Sequence, residues 1–112
     1  MADALCAVVV SMCAKPGMEE ALKAELRALV GPVRSTAGAA GQITYDQHQD
    51  RADPSLFMIY ELWLSQEHWE EYHKDDPPAL KAFVARSPDL LATPFAVQLM
   101  DMISPPMPHE GA

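Results

Sequence analysis

Positive charge is scarce in this chain. Eight Lys and Arg stand against sixteen Asp and Glu, a formal net charge of −8, and the eight are scattered from Lys15 to Arg86 without a cluster. A surface of that sign repels phosphate backbones, which argues against nucleic acid as a partner. Cysteine is nearly absent as well, Cys6 and Cys13 being the two. Seven positions apart in one strand, they are expected about 23 Å from each other on opposite faces, well beyond disulfide reach. Two reduced thiols fit a cytoplasmic protein. Long apolar runs are missing too. The first, Leu5 to Ala14, is interrupted by Ser11 and falls short of the roughly 20 residues of a membrane-spanning helix. No membrane partner, signal peptide or anchor is expected.

Glycine and metal-ligand patterns are equally thin. The five glycines form no phosphate cradle at a helix start. There is no Cys-x-x-Cys pair, and His68 and His73 are five apart, which on a helix turns them roughly 140° away from a shared ion. No metal site is expected.

What is present suits one globular domain: of 112 residues, 49% are hydrophobic and 21% charged, and a division would leave neither part a core. LCAVVVSMCA (5–14) is apolar on both alternating faces and reads as a strand covered on both sides. After the break at KPG, Met18, Leu22, Leu26, Leu29 and Val30 form the apolar stripe of a helix that Gly31 and Pro32 are expected to end. STAGAAG reads as a flexible connection. QITYDQHQD (42–50) and LFMIYELWL (56–64), joined by RADPS, read as a hairpin. Ser65 is placed to cap a short helix over 66–74; Pro77 and Pro78 break it and start another over 79–87. FAVQLMDMI (95–103) reads as the last strand. The domain is taken as residues 1–104 and a proline-rich tail as 105–112.

This β-α-β-β-α-β order predicts a ferredoxin-like α+β fold, one antiparallel four-stranded sheet carrying its helices on one face. Yet Cys6, Val8, Val10 and Met12 oppose Ala7 and Val9, while Leu56, Met58, Tyr60 and Leu62 oppose Phe57, Ile59 and Trp63. Both faces are mostly apolar, so a second copy is expected to cover the free one, making a homodimer through the sheet face.

KPGMEEALKAELRALVGPVR, ITYDQHQD, DPSLFMIYELW and a polar aromatic or histidine nine or ten residues after Trp63 together resemble the antibiotic biosynthesis monooxygenase-like family, over about residues 6–103. The resemblance implies a dimeric α+β barrel. It also implies a cofactor-independent monooxygenase or quinol oxidase, acting with O2 on a small aromatic substrate (a phenol, anthrone or quinol). Other members isomerise phosphorylated sugars or degrade haem. The acidic charge weakens the first alternative here, and Ala82 or Phe83, standing where an axial histidine is needed, weakens the second. The family's H-x-x-x-P-H-F becomes YHKDDPPALKAF, with Ala79 in place of the second histidine and either Tyr72 or His73 in place of the first.

Such chemistry needs a dry pocket, a group that accepts the phenolic proton and donors that steady the anion. On that reading Trp63 is pocket wall and indole donor, Tyr72 or His73 transfers the proton, and His48, Tyr60, Glu61, Phe83 and Arg34 line the substrate site. Several of these also have a plainer reading. Trp63 and Trp69 suit core packing, Glu61 a paired carboxylate, His48 a structural histidine, His73 a solvated one and Arg34 a surface ion pair. The rival function is a non-catalytic dimeric module for a small hydrophobic ligand or a partner, its cavity closed by Met58, Trp63 and Phe83.

Overall fold

Three consecutive valines, Val8 to Val10, mark the strand at the centre of the sheet. In the computed structural model, which describes residues 5–105, that strand is β1 (Cys6–Cys13), followed by α1 (Glu19–Ala37), β2 (Gln42–Gln49), β3 (Leu56–Trp63), α2 (Gln66–His73), α3 (Pro78–Leu90) and β4 (Ala96–Asp101). The tail expected at 105–112 lies outside the described residues except for Pro105. The sheet order is β2-β3-β1-β4 with every neighbouring pair antiparallel. This is the expected ferredoxin-like α+β architecture, its second helical region divided into α2 and α3.

Register decides which side chains meet the helices. β1 lies between β3 and β4, with Cys6 opposite Trp63 and Val8 opposite Leu99. Because successive side chains alternate between faces, Val8, Val10 and Met12 join Phe57, Ile59 and Trp63 in a core closed by Leu22, Leu26 and Leu29 of α1 and Phe83 of α3. Burying a large aliphatic or aromatic side chain contributes about 1.5–3 kcal/mol each. On the opposite face Leu56, Met58 and Met100 are exposed. Val9 and Tyr60 there are half-buried.

The first helix does not stop at Gly31 and Pro32 as expected; it continues to Ala37. Pro32 brings no N–H back to the carbonyl of Ala28, which weakens the helix locally. Beyond it, however, Val33 and Ala37 are fully buried against the sheet, and that burial outweighs the missing bond. The expected flexible connection therefore shrinks to the turn Gly38–Gly41. Gly41 has φ +110, and a Cβ there would come within 2.7 Å of the His68 ring, so only glycine fits.

The later boundaries follow local chemistry. Ser65 caps α2, its hydroxyl accepting the His68 N–H at 3.2 Å. Pro78 occupies the first turn of α3, where no N–H is needed. That helix runs past residue 87 to Leu90, and β4 is shorter than expected. Cys6 and Cys13 are both free. No described helix is long and apolar enough to cross a membrane.

Candidate functional site

A cavity of about 210 Å³ lies between the core face of the sheet and the helices. Its walls are largely apolar: Val10 and Met12 from β1, Ile59 from β3, Leu29 and Val33 from α1, Leu80 and Phe83 from α3. Against them stand a few polar groups, each positioned for an identifiable reason.

Glu61 arrives from β3. Strand alternation places it on the helix side between Ile59 and Trp63, and it is only 7% exposed. Trp63 Nε1 donates to its Oε1 at 2.8 Å, and Gln42 Nε2 reaches the same oxygen at 3.4 Å. Gln42 stands opposite Trp63 because β2 carries a bulge between Gln42 and Thr44. Burial raises the Glu61 pKa above the ordinary 4.5, while the Trp63 bond, the His73 charge and the Gln42 bond pull the other way.

Trp69, Tyr72 and His73 come from α2, where their spacing of three and four residues puts them on one face. The His73 ring N–H donates from Nδ1 to Asp76 Oδ1 at 2.6 Å, the carboxylate being held in the turn before Pro77. Aromatic contacts fix the rings: Trp69 to His73 at 5.3 Å, Tyr72 to His73 at 5.1 Å and Trp63 to Tyr72 at 5.4 Å between centroids. The Tyr72 hydroxyl lies 2.8 Å from Thr36 Oγ1. Thr36 Oγ1 is also 2.9 Å from the Pro32 carbonyl, so its one proton goes to that carbonyl and Tyr72 donates to Thr36. Burial holds the Tyr72 phenol above its ordinary pKa. Tyr45 of β2 also lines the cavity, and burial raises its phenol too.

A chain folded this way, with this cavity, has recognisable relatives. The family model described as antibiotic biosynthesis monooxygenase matches residues 6–86. The chain belongs to the antibiotic biosynthesis monooxygenase family. It is similar to sll1783 of Synechocystis, an uncharacterized protein, with 31% identity over 85 residues that make up 76% of this chain and 54% of that protein. The chain thus spans about half the length of this curated relative. Among solved structures it is similar to PA3566 from Pseudomonas aeruginosa, at 30% identity and a TM-score of 0.78, covering 93% of this chain and 99% of that one. It is also similar to SO0527 from Shewanella oneidensis, at 25% identity and a TM-score of 0.75, covering 88% and 91%.

Of the residues singled out for this family member from sequence, four line the cavity: Glu61, Tyr72, His73 and Phe83. Trp63 does not. It is fully buried behind Tyr72 and His73, and its indole N–H is engaged by Glu61; a residue that ends a strand under a helix packs beneath the wall. Tyr60 alternates with Glu61 and so faces the open side of the sheet, as Met58 does. His48 is on that side too, its Nδ1 3.2 Å from the Met58 carbonyl. Arg34 donates to the Tyr45 carbonyl at 2.8 Å and pairs with Asp46 at 3.2 Å, away from the cavity. Gln42, Tyr45, Trp69 and Asp76 line the cavity without having been singled out as site residues. For Trp69 the spacing to Tyr72 and His73 was the available signal. For Gln42 the bulge hides it.

Proposed function

We propose that this member of the family oxidises a small aromatic substrate, a phenol, anthrone or quinol, with O2 and without a cofactor. The observation that carries the reading is the meeting of the His73–Asp76 pair with the Glu61 carboxyl on one largely apolar cavity. A planar ring fits between walls such as Leu29, Ile59 and Phe83. The Asp76 carboxylate orients the His73 ring and steadies the imidazolium that forms when its other nitrogen takes a phenolic proton. Dry walls strengthen these charge interactions.

Deprotonation leaves an electron-rich anion that reduces O2 directly. For a quinol the products are the quinone and H2O2, two electrons and two protons passing to one O2. For an anthrone the ring methylene becomes a carbonyl, one oxygen atom entering the ring and the other leaving as water. Tyr72, tied to Thr36, is fixed as wall rather than as free proton donor. The family match supports a monooxygenase-like or small-molecule-binding module, and both the oxidation and its aromatic substrate are proposed here.

Oxygen uptake with a panel of quinols and anthrones between pH 6 and 9 tests this. Consumption above the autoxidation rate, lost in His73→Ala, is the expected result. Uptake at the autoxidation rate throughout, with a small aromatic still bound, turns the cavity into that of a binding module.

We also propose that a second copy covers the open sheet face. Leu56, Met58 and Met100 lie exposed there around Tyr60, an apolar patch of the kind that monomers avoid. The two free thiols suit a reducing, cytoplasmic setting.

A further inference from the structure

We infer that Glu61 is a second proton carrier of this site, acting through Oε2 on the substrate or oxygen atom that His73 does not serve; the inference rests on the oxidase reading above. Both N–H donors, Trp63 and Gln42, converge on Oε1. Oε2 accepts no hydrogen bond among the described residues. Yet every fully enclosed side-chain nitrogen and oxygen among them has a partner, so Oε2 opens onto free space, and the space that Glu61 lines is the cavity.

The surroundings suit a carboxyl that exchanges a proton rather than one locked in an ion pair. Facing it are Tyr45 on β2, Cys6 on β1, Tyr72 and His73 on α2 and Asp76 beyond. To the cavity α1 offers Leu29 and Val33 and α3 offers Leu80, Phe83 and Val84, all apolar. Arg34 is engaged by the Tyr45 carbonyl and Asp46. His73 is thus the one group in this set able to offset a negative charge on Glu61, and burial already favours the protonated acid. Trp63 and Gln42 are positioning residues: by holding Oε1 they turn Oε2 toward the cavity.

A closed cycle follows for a quinol. His73 takes the first hydroxyl proton, and the two ring electrons pass to O2. Glu61 gives its proton to the reduced oxygen, and its carboxylate takes the second hydroxyl proton. His73 then returns its proton to the peroxide, so that quinone and H2O2 leave and both residues are restored.

The test combines side-chain carboxyl NMR of the wild type, with phenol as probe, and oxygen uptake by Glu61→Gln with hydroquinone. The Glu61 carboxyl carbon is expected to titrate above the other glutamates and to shift when phenol is added. Glu61→Gln keeps an oxygen for Trp63 but carries no proton, and about a 100-fold loss of kcat with little change in KM is expected. A Glu61 resonance unmoved by phenol overturns the inference even if the variant fails to fold, and so does wild-type kcat in a folded variant. Wild type that takes up no oxygen with any quinol while the resonance still shifts overturns the oxidase reading and the cycle with it.

Discussion

On the helix side of the sheet Val8, Phe57 and Trp63 are sealed, and a cavity survives beside them, lined by Val10, Ile59 and Glu61; on the other side Leu56, Met58 and Met100 lie open around Tyr60. β3 feeds both, sending Ile59, Glu61 and Trp63 one way and Met58, Tyr60 and Leu62 the other. In composition the two sets are alike. Their polar residues separate them. The open face carries Asp46, His48 and Gln98 on the edge strands β2 and β4, where water reaches them. The helix face carries a carboxyl in the middle of the fold, on a strand paired from both sides, and keeps it with two N–H donors. An unpaired buried charge is costly, so a polar group retained there points to use, whereas one at an edge does not.

The largest effect that tests the contrast is on the sealed side. Trp63→Ala should cost about 3–5 kcal/mol of stability, since it leaves a void and strips Glu61 of its shorter hydrogen bond; urea denaturation followed by circular dichroism measures it. His73→Ala should leave the fold intact and lower kcat about 100-fold, equivalent to about 2.7 kcal/mol. A drop under about three-fold would move proton transfer to another group. On the open side Met58→Glu places a carboxylate from each protomer in the proposed interface and should weaken dimerisation by about ten-fold or more. Sedimentation at micromolar concentration reads it, and a monomeric wild type would remove the explanation for that face.

A smaller effect follows from proton linkage. Because burial raises the Glu61 pKa, the folded protein holds this proton more tightly than the unfolded chain. The stability so gained is complete below the ordinary 4.5 and is lost as pH rises through the folded value. Denaturation midpoints of the wild type should therefore fall relative to those of Glu61→Gln as pH increases above 4.5. The smallest expected change is at neither face: Arg86 pairs with Glu25 across α1 and α3 in solvent, and Arg86→Ala should cost less than about 1 kcal/mol.

Much of the fold was legible because its signals are local. The two-residue period of β1 and β3, the stripe from Met18 to Val30 and the Ser65 cap each depend on neighbours in the chain. The length of α1 was not, because Pro32 is a breaker locally and only the distant packing of Val33 and Ala37 carries the helix past it. The site divides the same way. Tyr72 and His73, expected at the site from their place nine and ten residues after Trp63, line the same cavity as Glu61 and Phe83. Asp76 is brought to His73 by a turn, and Gln42 reaches Glu61 through the bulge. Trp63 was misplaced by one layer: its size suits a wall and a core equally, and only the position of Tyr72 above it decides between them.

The bulge in β2 also bears on how this protein and its relatives can diverge. Pairing is regular from Thr44 to Gln49, and the extra residue, Ile43, lets Gln42 stand opposite Trp63. Were the strand regular with the same residues, Ile43 would take that place and set a hydrocarbon beside the carboxyl, removing one of its two donors. A one-residue insertion or deletion at this point would therefore retune the acid without any substitution in the cavity itself. Sequence comparisons confined to aligned columns overlook changes of that kind, and a gap near position 43 in a relative is as informative about its chemistry as a replaced histidine.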